Sequence, residues 1–336
     1  MSKKINIAIN GFGRIGRAVL KVILEKYPSY EIIAINDLTD TKTLAHLLKY
    51  DSAYGIYDKK ISSDSKNLII GNKKIPVLSE KDPSLLPWGK MKVDLVLECT
   101  GRFTTKEGLL MHIKAGAKKV ILSAPVKGES EVKTIVLGVN ENKIGKKDQV
   151  LSCASCTTNC LAPVTDIIRQ KFGIKNALMT TIHAYTADQN LVDGPHKDLR
   201  RARSAGVNMI PTTTGAAIAI NQTIPSLKGV FDGLAVRVPV VVGSMCDIVF
   251  LTKKKTSIEE INNHFIKITK TTKYKNLVEA SYEPLVSSDI IKNSHSAIVD
   301  LSLTKVVGGN MIKVISWYDN EWGYSCRLAD LIKYLF

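Results

Sequence analysis

"GFGRIG", residues 11–16, follows the short apolar run Ile5–Ile9 and opens a segment with helical periodicity, Gly16 to Tyr27, that stops before Pro28. The six residues fit G-x-G-x-x-G, a weak pattern by itself. Its surroundings give it meaning: a strand before, a helix after, then a second apolar run, Glu31 to Ile35, ending near Asp37, 21 residues past Gly16. Gly11 permits the tight turn, Gly13 lets backbone approach a pyrophosphate, and Gly16 allows close helix–strand packing. The helix start offers unpaired N–H groups to an anion. Asp37 is set to accept hydrogen bonds from ribose hydroxyls and to repel a 2′-phosphate, which favours NAD over NADP. FAD is the competing cofactor, and nothing else in the chain suggests it.

Working outward, strand and helix signals alternate through the first 150 residues. Thr41 to Tyr50 reads as helix, Val93 to Glu98 and Val120 to Ser123 as buried strands, and Gly108 to Ala115 as a crossover helix. Such alternation implies a parallel sheet covered by helices. After Val150 the texture changes. A helix from about Cys156 to Lys171 precedes strand-like runs at Ala177 to His183, Gly233 to Val242, Asp247 to Leu251, Ala297 to Ser302 and Met311 to Trp317. The expected fold is α/β: an N-terminal Rossmann-type dinucleotide-binding domain, residues 1–154, and a C-terminal α+β catalytic domain, residues 155–320, on a mostly antiparallel sheet. Arg327 to Phe336 reads as helical, and the stretch from about 321 to 336 is expected to pack back on the first domain. The polar segment between His183 and Pro211 lacks periodicity, and loops that long usually serve function.

Composition narrows the classes. The chain of 336 residues is 45% hydrophobic and 23% charged, ordinary for a globular protein. No apolar window suits a membrane span, and the apolar run after Lys3-Lys4 is too short for a signal peptide. The expectation is a cytoplasmic protein with reduced thiols, so its six cysteines are poor evidence for a disulfide framework. The net charge of +16 suggests attraction to polyanions. Yet the lysines are scattered, the longest run being Lys253 to Lys255, and none is interleaved with aromatics as in a single-strand groove. A solvated basic surface is the main reading, with nucleic-acid contact as the secondary one.

"SCASCTTNC", residues 152–160, holds three of the cysteines. A metal site would need further soft ligands, and Cys99, Cys246 and Cys326 are isolated while no two histidines are suitably spaced. A thioredoxin-like dithiol belongs after an early strand, not mid-chain. A nucleophile fits better. Ser155 is a good N-cap, and Cys156 would then sit in a first helical turn, where the dipole lowers a thiol's pKa. Cys160, one turn deeper, reads as structural. His183, at the end of an apolar strand, is a candidate base, although a lone histidine often has only a structural role.

"INDLTD" (35–40), "ECTGRFTT" (98–105), "ASCTTNCLAP" (154–163), "TIHAYT" (181–186), "HKDLRRAR" (196–203), "PTTTGAA" (211–217), "RVPV" (237–240) and "SWYDNEWGYS" (316–325) join the glycine turn in a resemblance that runs nearly end to end. The chain resembles phosphorylating glyceraldehyde-3-phosphate dehydrogenases. The resemblance implies oxidation of D-glyceraldehyde 3-phosphate to 1,3-bisphosphoglycerate with NAD and inorganic phosphate. Cys156 would attack the aldehyde and His183 would manage the proton. Thr186, Arg201 and Arg237 correspond to the substrate-phosphate site. Ser155, Thr157, Thr214 and Gly215 correspond to the attacking-phosphate site. Arg14, Ile15, Asp37, Lys81 and Ser123 fall at cofactor contacts, and Asn320 at the nicotinamide carboxamide. A homotetramer is also implied, with the loop 184–210 near neighbouring subunits. Erythrose-4-phosphate dehydrogenase is the nearest alternative, against which Thr157, Thr214 and Gly215 weigh. Three features depart from the family: Cys153 where asparagine is common, a "RVPVVVGSMCD" without Pro-x-Pro, and "VDGPHKD" in the loop. The first creates a C-x-x-C with Cys156, and with it an expected liability to oxidation.

Overall fold

The computed structural model describes residues 4–128 and 131–336. The described residues form two compact units. One comprises those of Met1–Ile135, Lys143–Ala154 and Ser325–Phe336, the other Val136–Asn142 and Ser155–Tyr324.

The first unit is built on a nine-stranded sheet. From one edge its strands are Lys133–Thr134, Val150–Ser152, Lys119–Leu122, Leu95–Glu98, Ile5–Asn10, Tyr30–Asn36, Lys73–Leu78, Asn67–Ile70 and Ile61–Ser63. The pairs up to Tyr30–Asn36 with Lys73–Leu78 are parallel, and the last two are antiparallel. The central strands Ile5–Asn10 and Leu95–Glu98 are mostly apolar and, from Ile7 on in the first and throughout in the second, buried, as strands covered on both faces must be. Chain order reverses beside Ile5–Asn10, whose neighbours are Tyr30–Asn36 and Leu95–Glu98. Such a reversal opens a crevice at the strands' carboxyl ends.

The second unit carries a seven-stranded sheet in the order Ile210–Thr212, Phe231–Val238, Ile174–Ala184, Ser244–Thr252, Met311–Tyr318, Ala297–Val307 and Val278–Ser281. Four of its pairs are antiparallel and two are parallel. Ser244–Thr252 alternates buried and half-buried residues, the mark of a sheet with one face in the core. The buried helix Cys156–Phe172 packs on its central strands.

Several boundaries differ from the sequence expectation, two of them for a local chemical reason. The strand expected to reach Val242 ends at Val238, because Pro239 has no N–H for the ladder. The last α-helix is Trp322–Leu331 with a 3-10 turn Ile332–Tyr334, not Arg327 to Phe336. It starts early because Asp319 Oδ1 accepts the N–H groups of Glu321 at 2.9 Å and Trp322 at 2.7 Å.

Candidate active site

Side chains cap the helices beginning at Thr41, Lys106, Cys156 and Ile258: Asp40, Thr105, Ser155 and Ser257 respectively. The helices Arg14–Lys26 and Ala216–Thr223 begin at Gly13 and Gly215, which offer no capping side chain. Both of these starts are positions singled out for anions, and a helix start without a side-chain acceptor is suited to an external one.

The first unit contains a cleft of about 380 Å3 at its sheet's reversal point. Gly11, Gly13, Asp37 and Lys81 line it. Gly11 holds φ at +90°, and a Cβ there would meet Thr100 N at 2.7 Å. Asp37 Oδ2 accepts Phe12 N–H at 2.7 Å and Oδ1 accepts Thr39 N–H at 2.9 Å, so the acidic residue braces the glycine turn as well as facing the cleft. The bare helix start and the carboxylate together fit a dinucleotide with free ribose hydroxyls. Arg14 is tied to Asp51 at 2.7 Å, while Ile15 and Gly16 lie in the first helical turn. Ser123 is half-buried beside Cys99 and is not among the lining residues.

Sequence reasoning missed Asn10, Asn36, Glu80, Thr100 and Arg102 in this lining. Their position at strand ends was the available signal. Two of them are fixed from behind: buried Glu98 accepts from Asn10 Nδ2 at 2.6 Å, Thr100 N–H at 2.8 Å and His112 Nε2 at 3.1 Å. Trp88 Nε1 donates to His112 Nδ1 at 3.0 Å, which leaves the histidine proton on Nε2, facing Glu98.

In the second unit Cys156 begins its helix just after Ala154, a non-glycine residue at φ +55°. Backbone strain of this kind collects where a functional group must be aimed. Ser155 Oγ accepts Thr158 N–H at 3.0 Å and fixes the first turn. Cys156 Sγ stands 3.5 Å from His183 Nε2. On the other side of the ring, His183 Nδ1 lies 2.6 Å from the Ala184 carbonyl oxygen and 2.8 Å from Arg237 Nη1. With its proton on Nδ1 and donated to that carbonyl, the ring has Nε2 free to accept the thiol proton.

Burial pushes the Cys156 thiol up to about 11, against the pull of Arg237 and of hydrogen bonds from Thr157. The expected lowering by the helix start is thus outweighed by enclosure of the sulfur. Burial, with Arg237 second, holds His183 at about 3. Each group alone resists ionisation, and a proton passed from Sγ to Nε2 creates opposite charges that attract each other.

Arg237 belongs to the same cluster, and its buried Nε has no partner among the described residues. Thr186 N–H donates to Gln189 Oε1 at 3.3 Å, while buried Gln189 Nε2 also lacks a partner, a donor that sequence reasoning missed. Two orphaned buried donors fit an anionic ligand. Arg201 is the arginine of the loop that is drawn in: Nε donates to Thr212 Oγ1 at 2.9 Å, Nη2 to Thr213 O at 3.3 Å, and Nη1 pairs with Asp188. Arg203 instead pairs with Asp193 at the surface. Thr157 Oγ1 is 3.0 Å from Tyr318 Oη. Thr214 Oγ1 accepts Ala216 N–H at 3.2 Å, beside Gly215. Asn320 Oδ1 accepts Ser244 Oγ at 2.9 Å and Gly243 N–H at 3.2 Å, leaving Nδ2 to donate. Cys153 is buried in the first unit.

Comparison with known proteins meets this geometry. Residues 5–106 match "Glyceraldehyde 3-phosphate dehydrogenase, NAD binding domain", and residues 155–320 match "Glyceraldehyde 3-phosphate dehydrogenase, C-terminal domain". The chain is 50% identical over 337 residues to the glyceraldehyde-3-phosphate dehydrogenase of Borreliella burgdorferi, covering 98% of this chain and 99% of that one. To the Geobacillus stearothermophilus enzyme it is 49% identical over 332 residues, and to the Thermotoga maritima enzyme 50% over 330, with 98% of each chain covered in both cases. A nucleotide cleft, a thiol facing an imidazole and matches of this extent have one common explanation: the chain belongs to the glyceraldehyde-3-phosphate dehydrogenase family.

Proposed function

We propose that this NAD-dependent oxidoreductase converts D-glyceraldehyde 3-phosphate, NAD and inorganic phosphate into 1,3-bisphosphoglycerate, with Cys156 as nucleophile and His183 as its base. The observation that carries the assignment of roles is the 3.5 Å approach of Cys156 Sγ to His183 Nε2.

As Sγ attacks the aldehyde carbon, Nε2 takes the thiol proton. The Cys156 N–H, at the first helical position, is suited to stabilise the resulting oxyanion. His183 returns that proton to the oxyanion, which gives the hemithioacetal, and takes it up again from the hydroxyl as the carbon is oxidised. NAD, when bound, supplies the acceptor for the hydride. Gly11, Gly13, Asp37 and Lys81 hold the dinucleotide, and Asn320 Nδ2 donates to the nicotinamide carboxamide. The thioester left on Cys156 is attacked by inorganic phosphate held by Ser155, Thr157, Thr214 and Gly215. Thr186, Arg201 and Arg237 hold the phosphate of the substrate, a role supported by the orphaned Arg237 Nε. Residues 1–154 would thus serve the cofactor and 155–320 the substrate.

No described helix is long and apolar enough to cross a membrane, and we read the enzyme as cytoplasmic. Exposed Leu178, Leu191, Val192, Leu199, Val207 and Leu234 support burial between subunits of a homotetramer. One assay tests the chemistry: an acyl phosphate should form only when inorganic phosphate is added. Cys156→Ser should abolish turnover while leaving NAD affinity within about twofold. Turnover retained in that variant would overturn the roles given to Cys156 and His183.

A further inference from the structure

Ser244 stands where the strand that ends in His183 and Ala184 comes within reach of the segment carrying Asn320. The antiparallel ladder between Ile174–Ala184 and Ser244–Thr252 ends with the pair Ile182 and Met245. On its other side Ser244 is the register partner of Tyr318, two residues before Asn320. Gly243, just outside the strand, holds φ at +99°, and a Cβ there would meet Ser287 O at 2.2 Å. Past the end of the ladder a side chain takes over from backbone: Ser244 Oγ accepts Ala184 N–H at 3.1 Å.

Chemistry fixes the direction of each bond. Gly243 N–H can only donate, so the Asn320 amide atom that faces it at 3.2 Å is the oxygen. The same oxygen lies 2.9 Å from Ser244 Oγ and is met there by the hydroxyl hydrogen. The lone pairs of Oγ are then available to Ala184 N–H. Ala184 in turn offers its carbonyl oxygen to His183 Nδ1 at 2.6 Å and to Arg237 Nη1 at 3.0 Å. A run of hydrogen bonds therefore leads from Asn320 through Ser244 and the Ala184 backbone to the imidazole. Asn320, Ser244, Ala184 and His183 are all buried, where such bonds strengthen one another.

We propose that Ser244 is a positioning residue for the oxidation, its one hydroxyl fixing both the turn of the Asn320 amide toward the nicotinamide and the Ala184 backbone that steers His183 toward Cys156. The inference rests on the roles given above to Asn320 and His183.

The hydroxyl acts in two directions. Toward Asn320, it is one of two donors that hold Oδ1 and so leave Nδ2 to meet a carboxamide oxygen. With one donor gone the amide swings more freely, and NAD loses a prepared partner. Toward His183, Ala184 is the last residue of its strand, and the bond from its N–H to Ser244 restrains the carbonyl beside the imidazole. A ring that rocks spends less time with Nε2 at 3.5 Å from Cys156 Sγ. Serine suits the place because one oxygen donates and accepts at once. Threonine keeps both functions and alanine keeps neither.

The test compares the full-length parent with Ser244→Ala, Ser244→Thr, Asn320→Ala and the double variant Ser244→Ala/Asn320→Ala. Calorimetric titration measures NAD affinity, and the rate of Cys156 alkylation by iodoacetamide without nucleotide reports on His183. Ser244→Ala should bind NAD about fivefold more weakly and alkylate about fivefold more slowly, the loss of one hydrogen bond at each end. Ser244→Thr should return both to within about twofold of the parent. The double variant should bind NAD no more weakly than Asn320→Ala alone yet keep the slow alkylation, because the hydroxyl reaches the nicotinamide through that amide and His183 by the other route. NAD losses that add in the double variant would make Ser244 a merely structural residue and overturn the proposal, as would parental affinity and alkylation in Ser244→Ala. If Asn320→Ala binds NAD like the parent, or His183→Ala alkylates like it, the roles given above fail and the proposal with them, and those single variants identify that case.

Discussion

Arg237 Nη1 lies 2.8 Å from His183 Nδ1 and donates to the Ala184 carbonyl oxygen at 3.0 Å, the same oxygen that the imidazole uses. One guanidinium therefore touches both the imidazole and the carbonyl beside it, while its Nε has no partner among the described residues. A cation so placed favours thiolate on Cys156 and disfavours imidazolium on His183; burial outweighs it at the thiol and adds to it at the imidazole.

Replacing Arg237 by leucine should move the pH limb for alkylation of Cys156 upward, because the thiolate loses its cation. It should also lower kcat/KM by about a hundredfold, near 3 kcal/mol, through loss of a charge-assisted donor to the substrate phosphate. Arg237→Lys should recover the limb better than the kcat/KM, since lysine restores charge but not the planar fork. Alkylation rates measured from pH 5 to pH 10 decide it, and an unmoved limb in Arg237→Leu would count against the coupling.

Tyr318 Oη bridges Thr157 Oγ1 at 3.0 Å and Thr181 Oγ1 at 2.8 Å, beneath the reactive thiol. Thr181 keeps a second bond, to Met245 O at 3.2 Å, whereas Thr157 Oγ1 has Tyr318 Oη as its partner. In Tyr318→Phe the Thr157 hydroxyl should turn away from its present aim. The expected cost is about 1–2 kcal/mol of stability and a several-fold slower alkylation of Cys156. Urea unfolding beside alkylation kinetics separates the two effects; lost stability with unchanged alkylation would make Tyr318 a packing residue only.

Sequence patterning served best where local chemistry agrees with tertiary demand. The helix expected at Thr41 to Tyr50 runs Thr41–Lys49 because Asp40 supplies the cap signal in the chain itself. The antiparallel strands Ile61–Ser63, Asn67–Ile70 and Lys73–Leu78 went unread. They are too short for their alternation to stand out, although Gly71, at φ +58°, marks the turn between two of them. Gly323 lies one residue into the last α-helix, Trp322–Leu331. A Cβ there would lie 2.4 Å from His295 O, so close packing, not a chain break, calls for that glycine. Within the site, the glycine turn and Asp37 were legible by spacing. Cys156 and His183, 27 residues apart, come together through the pairing of a helix start with a strand end, which no local pattern encodes. Gln189 gave no signal, since an orphaned donor exists only in three dimensions.

Asp330 anchors the end of the chain within the first unit. Tyr27 Oη donates to its Oδ1 at 2.6 Å, Lys333 Nζ to the same oxygen at 2.9 Å, and Arg327 Nη2 to Oδ2 at 2.7 Å. Burial raises the carboxyl pKa, but Arg327, Tyr27 and Lys333 together outweigh it and the net direction is down. A carboxyl lowered in the folded state stabilises above its unfolded pKa, near 4, and that contribution disappears as pH falls through the folded value. Asp330→Asn should therefore cost about 1–3 kcal/mol at pH 7, with the gap from the parent shrinking on acidification. Urea melts at pH 7 and at about pH 3.5 test this, and a constant gap would exclude the carboxylate as its source.

Gly13 and Gly16 belong to one motif yet face opposite demands. A Cβ on Gly16 would sit 2.2 Å from Gly11 O and 3.3 Å from Ile9 Cγ2, so alanine there must push the turn off the first strand. A Cβ on Gly13 meets nothing within 4 Å and would project into open space at the cleft. Gly16→Ala should thus lose stability, by about 2 kcal/mol or more, and nucleotide affinity with it. Gly13→Ala should keep the parent's melting temperature within a degree or two, yet bind NAD at least about tenfold more weakly, because the methyl group occupies the approach of the pyrophosphate to the helix start. Melting curves without nucleotide and calorimetric titration with NAD measure the two effects separately. Normal NAD affinity in a well-folded Gly13→Ala would move the pyrophosphate away from this helix start, whatever Gly16→Ala does.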